Sequence, residues 1–122
     1  MNKNIIFILT LLLTFLGMNA FAIDLIQIPV KGKVTLVDIT SKECSTCEKM
    51  LPVIENVKKI YSGKIEVVLV DFWKYPAIVK KIGTNTSPTI LIFDESGDEV
   101  FRKYGYISEE ELMIHLKMVR ID

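Results

Sequence analysis

The chain has 122 residues, with 15 basic and 15 acidic side chains. A balanced charge without a basic run argues against nucleic acid or an anionic membrane surface as the partner. The two cysteines and the single histidine fall short of the four ligands that a structural zinc site takes, so we expect no metal and no bound cofactor.

The first 22 residues have the three-part layout of a secretory signal peptide. A short start with one basic residue, Lys3, precedes an apolar run from Ile5 to Gly17, and Ala20-Phe21-Ala22 places small residues at a cleavage position. The apolar run is shorter than the roughly 20 residues that cross a bilayer. We therefore predict residues 1–22 as a removable leader of a periplasmic or otherwise extracytoplasmic protein. The alternative is an uncleaved N-terminal anchor.

The remaining residues, 23–122, are long enough for one domain and one core. Their hydrophobic pattern predicts four strands and three helices in the order β-α-β-α-β-β-α. The predicted strands are Val34–Ile39, Ile65–Val70, Thr89–Phe93 and Glu99–Tyr104. The predicted helices begin at the cysteine pair, at Pro76 and after Ser108, which forms a capping box with Glu111. We also expect an N-terminal edge strand over Ile23–Val30.

The order of these elements predicts an α/β fold. Strands alternate with helices in the first half, which favours parallel pairing, whereas the last two strands form an antiparallel hairpin. The second strand is apolar almost throughout, as expected for a sheet covered on both faces. A mixed central sheet with helices on both faces follows.

Cys44 and Cys47 lie three positions apart where a strand gives way to a helix. A disulfide between them closes almost no loop and therefore adds little stability as a crosslink. The start of a helix offers unpaired N–H groups and the positive end of the helix dipole, both of which stabilise a thiolate. The spacing therefore indicates a pair of cysteines that is used for chemistry.

The pattern around these cysteines resembles the thioredoxin family. The shared features are Val37-Asp38, Cys44-Ser45-Thr46-Cys47, Pro52, Ser87-Pro88-Thr89 before a strand, Gly97 and Gly105. The resemblance implies the thioredoxin fold, with Cys44 as the exposed nucleophile, Cys47 as the resolving thiol and a buried Asp38 as the proton acceptor of Cys47. It also implies a cis Pro88 that faces the site, beside which Ser87 offers backbone groups to an extended substrate.

The residues alone leave two of these roles open. Asp38 is otherwise a strand-end aspartate that bonds to a backbone group, and Pro88 is otherwise a trans proline that starts a strand. Two acidic residues, Glu43 and Glu48, flank the pair; they either offset the helix dipole or are solvated surface charges. The aromatic group Phe72, Trp73 and Tyr75 either lines a partner groove or packs over the short helix.

Some positions depart from the family pattern and bear on function. Where the family commonly has Trp before the first cysteine and Gly-Pro between the two, this chain has Glu43 and Ser45-Thr46. No histidine lies between the cysteines, which favours a reductant over a strong oxidant. The resemblance implies a monomeric reductase of protein disulfides that receives electrons from a membrane thiol carrier. The alternatives are a disulfide oxidase or isomerase, and a non-catalytic binding module.

Overall fold

The computed structural model describes residues 2–6, 8 and 27–119. Four strands form one sheet: β1 (Val34–Thr40), β2 (Ile65–Asp71), β3 (Thr89–Phe93) and β4 (Glu99–Tyr104). Their order across the sheet is β2-β1-β3-β4. β1 pairs parallel to β2 and antiparallel to β3, and β3 pairs antiparallel to β4. β1, β2 and β3 are rich in the β-branched residues that favour strands.

Three helices cover the two faces of the sheet: α1 (Ser45–Ile60), α2 (Pro76–Ile82) and α3 (Glu109–Met118). α1 and α3 contribute to one core cluster, and α2 contributes to the other. The first cluster includes Leu36, Met50, Ile54, Ile90, Ile92, Leu112 and Leu116. The second includes Val37, Ile39, Val70, Val79 and Leu91. The predicted α/β fold with a mixed sheet and helices on both faces is confirmed.

Three details differ from the sequence-based expectation. Parallel pairing is confined to β1 and β2, because β3 runs antiparallel to β1. Among the described strands β2 lies at the edge of the sheet, and it is not covered on both faces, since Leu69 is 45% exposed. In the described part of the predicted N-terminal edge strand, residues 27–30 have no strand structure, and residues 23–26 lie outside the described residues.

The predicted leader lies mostly outside the described residues, as does its cleavage position Ala20-Phe21-Ala22. Within the part of the chain that the structure describes, no helix is long and apolar enough to cross a membrane.

The predicted cap of the last helix has a measurable consequence. The hydroxyl of Ser108 accepts a hydrogen bond from the backbone N–H of Glu111 at 3.2 Å. We expect Ser108→Ala to lower the free energy of unfolding by about 1 kcal/mol, because that N–H loses its partner. Urea denaturation checks this, with Ser96→Ala, at another exposed position, as the control. Equal losses in the two variants would contradict the cap.

Candidate active site

The two cysteines are joined by a disulfide at the start of α1, with their Cα atoms 5.1 Å apart. Cys44 is the N-cap residue, and its Sγ accepts a hydrogen bond from the backbone N–H of Cys47 at 3.1 Å. Cys47 is only 1% exposed, whereas Cys44 is partly exposed. Cys44 is therefore the sulfur that a second molecule can reach.

A loop 43 positions later in the chain completes the surroundings of Cys44. The carbonyl oxygen of Ser87 lies 3.7 Å from Cys44 Sγ. A disulfide sulfur carries no proton, so this is a contact in the oxidised form, and the thiol of the reduced form has a proton to donate. The Ser87–Pro88 peptide bond is cis. The Pro88 carbonyl accepts the Gly105 N–H at 2.8 Å, which fixes this loop to the end of β4.

Hydrogen bonds of threonine hydroxyls also fix this loop, and the sequence analysis did not predict them. The Thr89 hydroxyl, which is fully buried, donates to the Thr86 carbonyl at 2.7 Å and lies 2.8 Å from the Thr84 hydroxyl. Thr84 in turn accepts the Thr86 N–H at 3.3 Å. The spacing Thr-x-Thr-x-x-Thr before the third strand was the available signal. These bonds set the path of the backbone that carries Ser87.

Asp38 lies in the central strand β1 and is fully buried. It is paired with Leu69 and Ile90 across the sheet, on the face that α1 covers. Neither carboxylate oxygen has a hydrogen-bond partner among the described residues, so the alternative of a backbone-bonded aspartate is not what the structure contains. Burial without a partner raises the pKa of Asp38 from 3.8 to about 7, because desolvation penalises the charged form.

An open groove of about 620 Å³ runs past Cys44. It is lined by Ser41, Glu43, Cys44, Ser45, Thr46, Phe72, Trp73, Asn85, Thr86 and Ser87. A hollow of about 660 Å³ elsewhere, between residues 27–31 and α2, contains neither cysteine. Of these two hollows, the groove at Cys44 is the one that reaches the more exposed sulfur of the pair.

The sequence left two roles open for the aromatic group after β2, lining a groove and packing over the short helix, and the structure contains both. Phe72 and Tyr75 pack against the second core cluster, beneath α2. Trp73 is 77% exposed and lines the groove at Cys44. Phe72 also lines that groove but is partly buried in the core, so Trp73 is the more exposed of the two aromatic rings there.

The family of the chain follows from comparison with known sequences. The model of the family described as Thioredoxin-like domain matches residues 21–120. The chain belongs to the thioredoxin family. Its C-x-x-C pair, Cys44 and Cys47, lies within disulfide distance, as the chemistry of a thioredoxin-like oxidoreductase requires. Proteins of this family generally act on disulfide-containing protein substrates.

Sequence relatives of this thioredoxin-family protein include a thioredoxin-like protein of Synechocystis sp., 33% identical over 86 residues. That match covers 70% of this chain and 81% of the relative. Chloroplastic thioredoxin Y1 of Arabidopsis thaliana is 32% identical over 81 residues, which are 66% of this chain and 46% of that protein. The chain thus spans about half the length of the Arabidopsis relative.

Solved structures agree with the family and with the fold. A crystal structure of a thioredoxin from Nicotiana alata has a TM-score of 0.66 and 27% identity, covering 73% of this chain and 75% of that one. A malarial protein has a TM-score of 0.67 at 22% identity, covering 71% of this chain and 97% of that one, and shares the fold.

Proposed function

We propose that this thioredoxin-family protein is an exported reductase of protein disulfides in which Cys44 is the nucleophile and Cys47 the resolving thiol. One observation carries the assignment. Cys44 is the partly exposed N-cap of α1 with a backbone N–H 3.1 Å from its sulfur, while Cys47 is buried behind it. An N–H donor and a helix N-terminus both favour the thiolate, which is the form that attacks a disulfide.

The reaction consists of two exchanges. The Cys44 thiolate attacks one sulfur of the substrate disulfide and forms a mixed disulfide, and the other substrate sulfur leaves as a thiolate and takes up a proton. Cys47 then loses its proton and attacks Cys44 Sγ, which closes the Cys44–Cys47 disulfide and releases the second substrate thiol. Two electrons have moved from the protein to the substrate. The two protons on the product thiols balance the one that Cys44 gave to solvent when it ionised and the one that Cys47 lost.

Asp38 is the proposed acceptor of the Cys47 proton. Its pKa of about 7 suits a group that must take up and release a proton near neutral pH. It occupies the sheet face that packs against α1, and Cys47 is on the buried side of that helix. The carboxylate has no competing partner among the described residues.

Ser87 and Pro88 are the proposed substrate-binding residues. The Ser87 carbonyl reaches to within 3.7 Å of Cys44 Sγ, so a substrate strand that lies along this loop brings its own sulfur to Cys44.

The direction of electron flow and the location belong to the same proposal. A reductase must be reduced again after each cycle, and outside the cytoplasm a membrane dithiol carrier is the class of donor that supplies the electrons. The leader predicted over residues 1–22 supports a periplasmic or otherwise extracytoplasmic location, with residues 23–122 as a monomeric domain. No histidine lies between Cys44 and Cys47 to stabilise the thiolate further.

The reduction potential of the cysteine pair tests this direction. We expect a value closer to about −270 mV, as in thioredoxin, than to about −120 mV, as in a strong oxidant. Equilibration with defined thiol buffers, followed by counting of free thiols, gives the value. A potential at the oxidising end would instead favour disulfide formation or isomerisation, and a pair that never reacts with a generic disulfide would indicate a binding module.

A further inference from the structure

The chain's single tryptophan is presented to solvent on a fixed support. Trp73 is 77% exposed, an unusual position for a side chain of this size. Its ring meets Phe72 edge-on, with centroids 5.0 Å apart. The Asp71 carboxylate accepts hydrogen bonds from the backbone N–H groups of Trp73 and Lys74 at 3.0 and 2.9 Å. The indole is thus held outward by a packed ring and an anchored turn.

The indole of Trp73 lines two adjoining hollows, one of which contains Cys44. Trp73 and Glu43 are the two residues that line both the groove at Cys44 and a second hollow beside it. Among the described residues that line the groove at Cys44, Glu43 is the only charged one. An aromatic surface and a carboxylate therefore both line the groove that leads to Cys44.

We propose that Trp73 and Glu43 form a recognition site for a basic side chain, an arginine above all, that neighbours the reacting cysteine of the substrate. This inference rests on the proposed disulfide reductase function and adds a substrate preference to it. Neither residue takes part in the exchange itself; both contact the substrate segment.

The chemistry of the two residues defines the ligand. A tryptophan face attracts a cation through its ring quadrupole, and a guanidinium also stacks on it as a flat surface. The same guanidinium donates two parallel hydrogen bonds to a carboxylate such as that of Glu43. An acidic substrate side chain at this place would face Glu43 and be repelled.

The nearby lysines do not cancel this preference. Lys42 and Lys74 line only the second hollow, where Asp71 is also present. The ammonium of Lys74 lies 5.4 Å from the centroid of the Tyr75 ring and is thus engaged there. The other lining residues of the groove at Cys44 are neutral.

Peptide disulfides that differ in one charge test the site. Each peptide carries a single cysteine, joined to a small thiol, with arginine on both sides or with its neutral isostere citrulline on both sides. We expect the reduced protein to react with the arginine peptide about three to ten times faster than with the citrulline peptide. In Trp73→Ala and in Glu43→Gln this ratio should fall to near one.

The ratio separates recognition from reactivity. Glu43→Gln also changes the charge next to Cys44, but an altered thiolate affects both peptides equally and leaves the ratio unchanged. Glu48→Gln is the matched control, because Glu48 is an exposed carboxylate in the first turn of α1 and does not line the groove at Cys44. It should keep the full ratio.

Three results would overturn the inference. A ratio near one in the unaltered protein would contradict the recognition site. A ratio that persists in both Trp73→Ala and Glu43→Gln would do the same. Neither result would contradict the proposed reductase function. Failure to reduce even 2-hydroxyethyl disulfide, which carries no cation for Trp73 and Glu43 to bind, would contradict the proposed function and the inference with it.

Discussion

Cys44→Ser is expected to abolish disulfide reduction, with a loss on the order of 10³-fold or more. A serine hydroxyl is not ionised near neutral pH and forms no exchangeable bond with sulfur, and Cys47, at 1% exposure, is not placed to substitute for Cys44. Reduction of a generic protein disulfide by the protein measures the loss. Ser62→Ala, at an exposed position just after α1 that does not line the groove at Cys44, is the control and should retain activity.

Cys47→Ser should behave differently from Cys44→Ser. Cys44 still attacks, but nothing resolves the product, so the mixed disulfide with the substrate accumulates and is detected as a species that dissociates on addition of a reductant. Trapping by Cys44→Ser in place of Cys47→Ser would reverse the roles of the two cysteines. Equal activity in both variants and in the unaltered protein would exclude the C-x-x-C mechanism.

Asp38→Asn is expected to stabilise the protein at alkaline pH. The pKa of Asp38 in the folded protein is about 7, above its ordinary value of 3.8, so the folded state holds the proton more tightly than the unfolded state does. The free energy of unfolding therefore falls as the pH rises from about 4 to about 7 and stays low above that. At about 1.4 kcal/mol per pKa unit, the charged carboxylate costs on the order of 4 kcal/mol at pH 8.

Asparagine is a neutral isostere and removes that cost, so the gain should be several kcal/mol at pH 8 and vanish near pH 4. Urea denaturation of the oxidised protein at the two pH values measures it. Asp98→Asn, the same substitution at an exposed aspartate, is the matched control. A pH-independent gain in Asp38→Asn would mean that its carboxyl titrates normally in the folded protein.

The same substitution should slow the second exchange. Without a carboxylate to accept the Cys47 proton, decay of the mixed disulfide should be slower by on the order of 10²-fold, while the attack by Cys44 is unchanged. Rapid mixing with a chromogenic disulfide separates the two steps. Equal decay rates in Asp38→Asn and in the unaltered protein would exclude Asp38 as the proton acceptor of Cys47.

The sequence predicted the elements well because their signals are local. The bounds of the strands Thr89–Phe93 and Glu99–Tyr104 and the start of the helix at Pro76 agree with the structure, since each is marked by a neighbouring proline or turn. The antiparallel pairing of β1 with β3 was not predictable in this way. It joins segments about 50 residues apart and depends on how the whole sheet closes.

Part of the site could likewise be predicted from the sequence, and part could not. The C-x-x-C spacing and the run Ser87-Pro88-Thr89 are sequence motifs, and they indicate thiol–disulfide chemistry without a structure. A sequence motif does not predict whether an individual side chain is buried or exposed. Phe72 and Trp73 are adjacent aromatic residues, and only the packing of α2 decides that the first is covered and the second is not.

The single disulfide also bears on how the chain matures. With two cysteines, the chain has one possible intramolecular pairing, and the structure has that pairing between residues three positions apart. Oxidation of a newly made, still unfolded chain therefore cannot trap a wrong connection. The small ring also restricts the unfolded chain very little, so the route to the folded state does not depend on when the cysteines are oxidised. A protein that works by changing its redox state can thus be assembled in either one.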